Sequence, residues 1–179
     1  MKRPIFLVGY MACGKTTFGK ALARATGREF IDLDFYIEQR YHTTVKRLFD
    51  ERGESEFRRI EATMLREAGE FEDVVIACGG GTPCQGDNMD YMLGRGLTVW
   101  LRASTPRIVE RLLRGGSKRP LVAGKNREEL LVFVEEHLGS RRRHYERAEI
   151  EFGSNELESV REISSSVDRF LELFSPKLV

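Results

Sequence analysis

The sequence predicts an α/β fold: a five-stranded parallel sheet with helices on both faces, in three layers, and a short lid. Three observations carry this expectation. Short apolar runs without polar alternation recur along the chain, as expected of parallel strands buried on both faces. Helical patterns fill the gaps between them, and strand–helix alternation builds a parallel sheet between two helix layers. Finally, the first apolar run opens into "GYMACGKTT" (Gly9 to Thr17). That spacing, a glycine, four residues and Gly-Lys-Thr, is the phosphate-cradling P-loop pattern. At 179 residues the chain fits one domain, 1–179, because a single hydrophobic core stops growing near ~250–300 residues.

Each element can be read in order. "PIFLVGY" (Pro4 to Tyr10) is the first buried strand, and "KTTFGKALARAT" the helix after the loop, with Phe18, Leu22 and Ala25 on its apolar side and Gly27 closing it. "EFIDLD" (Glu29 to Asp34) is expected as a second strand ending in two carboxylates, followed by a helix over Phe35–Arg40. "GESEFRRIE" opens at Gly53 into helix, and "VVIACGGG" (Val74 to Gly81) is a third strand running into three glycines. "LTVWL" (Leu97 to Leu101) and "AEIEF" (Ala148 to Phe152) complete the five. "STPRIVERLL" places Pro106 at a first helical position. Asn126 with Glu129, and Asn155 with Glu158, have capping-box spacing before two more helices. The stretch "GGSKRPLVAGK" (Gly115 to Lys125) lacks periodicity and is basic, which suits a lid.

Composition excludes several classes. Lys and Arg number 29 against 28 Asp and Glu, so no global positive field points to nucleic acid or a membrane surface. No apolar stretch approaches the ~20 residues that cross a bilayer. Cys13, Cys78 and Cys84 are odd in number and form no C-x-x-C pair. They suggest neither a disulfide framework nor a zinc site, and a reducing cytoplasm is the expected home.

The chemistry-bearing residues follow from the loop. Backbone N–H groups of Ala12, Cys13, Gly14, Lys15, Thr16 and Thr17 would wrap phosphates at a helix N-terminus. Lys15 would reach the β and γ phosphates of ATP, and the Thr16 hydroxyl would ligate Mg²⁺. Adenine contacts are expected in the stretch after the fifth strand, around Gly153 to Asn155. Asp32 and Asp34, two apart on a strand, would both face the cleft at the sheet's carboxyl edge. One could serve the metal and the other accept a proton from an attacking hydroxyl; the alternative is an N-cap plus a solvated aspartate before the helix Phe35–Arg40. Arg58 and Glu61 stand i,i+3 and can pair, fixing a guanidinium fork for a carboxylate or phosphate. Lys118 and Arg119 in the basic stretch could close over a γ-phosphate and exclude water. Of Arg141, Arg142 and Arg143, spacing alone does not say which shares the cleft.

Together these motifs resemble the shikimate kinases. "GYMACGKTT" is similar to their G-x-M-G-x-G-K-[ST]-T, "DLDFYIE" to D-x-D-x-x-I-E, and "GESEFRRIE" to G-E-x-x-F-R-x-x-E. "ACGGGT" resembles their triple-glycine loop, "RPL" their lid, and "RRRHYERA" their R-x-x-x-Y-x-x-x-A. The resemblance, spanning residue 9 to about residue 148, implies a P-loop kinase fold with its lid at about 115–125. It implies transfer of the γ-phosphoryl group of ATP, with Mg²⁺, to shikimate, giving shikimate 3-phosphate for aromatic amino-acid biosynthesis by a monomer. By position it assigns Asp34 as base on the shikimate hydroxyls, Asp32 beside magnesium, and Arg58 and Arg141 to the substrate carboxylate near the Gly80 backbone. Arg119 becomes the lid arginine on the ATP phosphates, while Phe49 and Phe57 wall the pocket. Two positions depart from the pattern: Ala12 stands where these enzymes usually have glycine, and Pro83 follows the glycines.

Two other readings compete. A nucleoside monophosphate kinase would want more arginines around its acceptor and no carboxylate base, since a phosphate acceptor has no hydroxyl proton to lose. A guanine-reading switch would show N-K-x-D, which "GKNRE" does not supply.

Overall fold

A computed structural model describes residues 2–115, 122 and 124–178. Five strands, β1 (Ile5–Val8), β2 (Glu29–Asp32), β3 (Val74–Ala77), β4 (Leu97–Arg102) and β5 (Ile150–Gly153), form one sheet in the order β2-β3-β1-β4-β5. Every pairing is parallel, with Ile5 opposite Val75 on one side and Leu97 on the other. β1, β3 and all of β4 but Arg102 are buried, which is why they read as unbroken apolar runs.

Seven α-helices cover the sheet among the described residues: α1 (Lys15–Thr26), α2 (Leu33–Tyr41), α3 (Val45–Gly69), α4 (Asn88–Arg95), α5 (Thr105–Arg114), α6 (Arg127–Tyr145) and α7 (Val160–Phe174). Alternation along the strands decides which layer each meets. Phe6 reaches Tyr91 of α4, and Trp100 reaches Tyr145 of α6. Phe152, on the other face, joins Phe18 of α1 and Phe170 of α7, with ring centroids 5.2–5.5 Å apart. Gly19 permits α1 to lie this close: a Cβ there would stand 2.6 Å from the Phe30 ring and 2.9 Å from Leu7 Cδ1. Gly53, at φ 78°, breaks α3 into two segments, matching the helix start expected at that glycine.

Three local expectations are corrected. The second strand stops at Asp32, whose carboxylate caps α2 by accepting from the Phe35 N–H; Asp34 therefore sits in a helical first turn rather than on a strand. The capping box before α7 is Ser159 with Glu162, not Asn155 with Glu158. Asn155 Oδ1 accepts instead from the Ser104 N–H, and Glu158 pairs with Arg111 and Arg114. α5 begins at Thr105, so Pro106 is its second residue. The Asn126–Glu129 box does cap α6.

All three cysteines are free thiols. Among the described residues no helix is long and apolar enough to cross a membrane.

Candidate active site

The order β2-β3-β1-β4-β5 sends the chain to opposite sides of β1, and ligands in such sheets bind outside the carboxyl ends of the strands at that reversal. A cleft of about 470 Å³ lies there, lined by Ala12, Gly14, Lys15, Thr16 and Thr17 of the loop and by Asp32, Asp34 and Gly80 opposite. Met11, Arg111, Leu157 and Glu158 complete much of its wall.

On the loop side, Gly14 at φ 103° turns the chain into α1. Ala12 also adopts a left-handed φ, 59°, where an L-residue is strained by of order 1–3 kcal/mol. The glycine usual at that position in the resembling enzymes thus has a backbone reason. Lys15 Nζ donates to the carbonyls of Gly9 (2.8 Å) and Tyr10 (2.9 Å), across the mouth of the loop. Cys13 differs from its neighbours: its N–H donates to the Tyr10 carbonyl, and its buried side chain lines a smaller cavity behind the loop.

Thr16 Oγ1 donates to Asp32 Oδ2 at 2.9 Å, bringing a hydroxyl and a carboxylate together across α1 and β2. These are hard oxygen donors at the phosphate end of the cleft, the kind of ligand Mg²⁺ takes. Asp34, one residue beyond the start of α2, opens to the cleft. Desolvation first, then the neighbouring carboxylates of Asp32 and Glu61, push its pKa up to about 6, against the lowering influence of Lys15.

The three glycines after β3 let four charged side chains converge on one turn. A Cβ at Gly79 would lie 3.1 Å from Asp34 Oδ1 and 3.0 Å from Glu61 Oε1. One at Gly80 would be 3.5 Å from Arg141 Nη1, and one at Gly81 would be 3.0 Å from both terminal nitrogens of Arg58. Glu61 is buried and doubly satisfied: Thr82 Oγ1 donates to it at 2.6 Å and Arg58 Nη1 at 2.9 Å. The Arg58 guanidinium also lies 5.5 Å from the rings of Phe49 and Phe57, which stack 4.2 Å apart. Tyr145 Oη donates to the Gly80 carbonyl at 2.6 Å, fixing the end of α6 and hence Arg141 against the turn. Arg142 points elsewhere, toward the cavity behind the loop.

Sequence reasoning missed Arg111. It donates to the Ala12 carbonyl (3.2 Å) and to those of Ser154 (2.8 Å) and Asn155 (3.2 Å), and pairs with Glu158. It thereby ties the loop to the segment after β5, where Leu157 packs so close that a Cβ at Gly14 would meet it at 2.4 Å. In "RIVERLLR" it reads as the polar side of an amphipathic helix; the one signal nearby is the adenine contact region expected around Gly153 to Asn155, which holds two of its partners. Arg119, with Lys118 and most of the expected lid, lies outside the described residues.

A glycine-rich loop between β1 and α1 of this sheet places the chain among the P-loop proteins. The shikimate kinase family model matches residues 11–172. The chain is 51% identical to a shikimate kinase of Phocaeicola vulgatus over 92% of its length and 94% of that protein. It superimposes on the crystal structure of shikimate kinase from Bacteroides thetaiotaomicron with a TM-score of 0.94 and 47% identity, covering 98% of this chain and 99% of that one. The shikimate kinase of Acinetobacter baumannii, solved in complex with shikimate, gives 0.82 and 32% identity over 99% of this chain and 96% of that one. The chain belongs to the shikimate kinase family.

Proposed function

We propose that the protein transfers the γ-phosphoryl group of ATP to the 3-hydroxyl of shikimate, through the residues assembled around the cleft. The observation that carries this reading is the turn at Gly79–Gly81, where Asp34, Arg58 and Arg141 meet within reach of the phosphate loop. A small ring with a carboxylate at one end and hydroxyls at the other needs cationic forks and a proton acceptor at opposite ends. Arg58 and Arg141 hold the carboxylate beside Gly80, while Asp34 takes the proton of the attacking hydroxyl. Its raised pKa makes it a better base than a solvated aspartate while leaving it ionised at neutral pH.

The loop holds the phosphates through Ala12 and Gly14 to Thr17, the Cys13 N–H being already bonded to the Tyr10 carbonyl, and Lys15 leaves its carbonyl partners to contact them. Thr16 and Asp32 would hold Mg²⁺, which when bound would supply positive charge to the phosphates. Arg119 closes from the lid. In this reading the enzyme is a cytoplasmic monomer, one domain of residues 1–179, that engages neither nucleic acid nor membrane; its near-neutral charge supports the last of these. A coupled ADP-release assay with shikimate, quinate, AMP and CMP tests the acceptor. Shikimate should give turnover well above the acceptor-free rate, and preferred phosphorylation of a nucleoside monophosphate would overturn the reading.

A further inference from the structure

Tyr10 and His137 make a contact that none of these roles uses. Tyr10 is the residue before the tip of the phosphate loop and is buried, 1% exposed. Its carbonyl accepts from Lys15 Nζ at 2.9 Å. Its side chain runs the other way, to α6, where Oη lies 2.9 Å from His137 Nδ1 and the two rings meet edge to face at 5.6 Å and 86°. Phe133, one turn earlier on α6, packs on the imidazole at 5.2 Å. Arg141 is one turn later on the same helix, so His137 and Arg141 share a face (i,i+4). One residue therefore touches Lys15 through its backbone and the arginine-bearing helix through its hydroxyl.

Packing alone does not require that hydroxyl. Phenylalanine would fill the same volume and keep the ring contact, and a buried hydroxyl is unfavourable unless bonded. What the hydroxyl adds is direction, fixing the rotation of α6 relative to the loop. The imidazole can pair with it in either neutral tautomer, Nδ1 accepting from the hydroxyl or donating to it. Burial and the Arg141 charge lower its pKa, so the ring stays neutral near pH 7 and keeps one nitrogen able to accept.

We infer that Tyr10 and His137 are positioning residues that hold the phosphate cradle and the carboxylate-binding helix in one register, so that each substrate's site is set partly from the other side. The inference rests on the assignment of Lys15 to phosphate and Arg141 to the carboxylate. Its signature is crossed. Tyr10→Phe, on the nucleotide side, should raise the KM for shikimate about three- to tenfold, the effect of one hydrogen bond. His137→Leu, on the acceptor helix, should raise the KM for ATP by a similar factor. The double variant should be little worse than either single. His137→Asn, whose carboxamide oxygen falls near the Nδ1 position, should recover most of the loss. A packing role would instead lower Tm, leave both KM values near wild type and show no rescue by asparagine, and that pattern would overturn the inference. Should His137→Leu fail to fold, Tyr10→Phe decides alone through its shikimate KM. Arg141→Ala separates the two levels. If it leaves the shikimate KM unchanged, the site assignment fails and this inference with it. If it raises that KM while Tyr10→Phe does not, only the positioning role fails.

Discussion

The two halves of the cleft are built by different means. The phosphate half is one contiguous stretch, Gly9 to Thr17, shaped chiefly by backbone geometry: left-handed φ at Ala12 and Gly14, and a helix beginning at Lys15. The half proposed for the acceptor is made of side chains drawn from three helices, Asp34 of α2, Arg58 and Glu61 of α3 and Arg141 of α6, gathered on a turn without side chains of its own. A backbone site tolerates changes of side chain but not of conformation. A side-chain site has the opposite sensitivity, and depends on every helix that supports it.

The widest separation between the halves should come from Lys15→Ala. It removes charge from the phosphates without disturbing packing, and turnover should fall to background in the ADP-release assay while the circular dichroism spectrum is kept. Next comes Asp34→Asn, which preserves shape but cannot take the proton; kcat should fall on the order of 10²–10⁴-fold with the shikimate KM little changed. The same residue sets a pH signature. With its pKa raised to about 6, kcat of the wild type should decline as pH drops through that value. Stability should move the other way. Between the ordinary aspartate pKa and about 6 the native state binds more protons than the unfolded chain, so Asp34 makes the protein less stable as pH rises through that window. Thermal melts of Asp34→Asn should accordingly show a higher Tm than wild type at pH 8, the gap closing toward pH 4.

Arg58→Lys tests geometry against charge. The ammonium cannot reproduce the planar fork or the stacking near Phe49 and Phe57, nor bond buried Glu61 while presenting a second, bidentate edge. The KM for shikimate should rise by an amount corresponding to roughly 1.5–3 kcal/mol, with a smaller change in kcat; an unchanged KM would remove Arg58 from the carboxylate. The smallest effect belongs to the backbone half. Ala12→Gly relieves a left-handed alanine but adds freedom to the unfolded chain, so denaturant melts should show a net gain of at most about 1 kcal/mol.

The same division governs how much could be read from the sequence. The loop was legible because its residues are adjacent and its strand and helix flank it. The order of strands and helices was legible because buried parallel strands leave unbroken apolar runs. The carboxyl ends of strands were not: Asp34 reads as strand on alternation alone; the N-cap that the sequence also offers before Phe35 is the reading that holds, with Asp32 as the cap and its second oxygen left for Thr16. α4 went unread, its amphipathic pattern being only two turns long. Choosing Arg141 from three adjacent arginines needed the family pattern, since the reason, Tyr145 bonding to Gly80, lies in a contact between residues 65 apart. Arg111 was invisible because most of its partners are backbone carbonyls, which no side-chain pattern records, and its one carboxylate, Glu158, is 47 residues away.

Arg111 also sets the order in which the protein can become competent during synthesis. The loop emerges from the ribosome first, but its tie through Arg111, and its wall at Leu157 and Glu158, come from much later in the chain. Arg28 repeats the arrangement at the opposite end of the sheet, donating to the carbonyls of Arg3 and Leu178. At about 5–20 residues per second, the interval between making the loop and making its wall is on the order of ten seconds. Throughout that interval the nascent chain carries a phosphate-binding sequence without a completed nucleotide site.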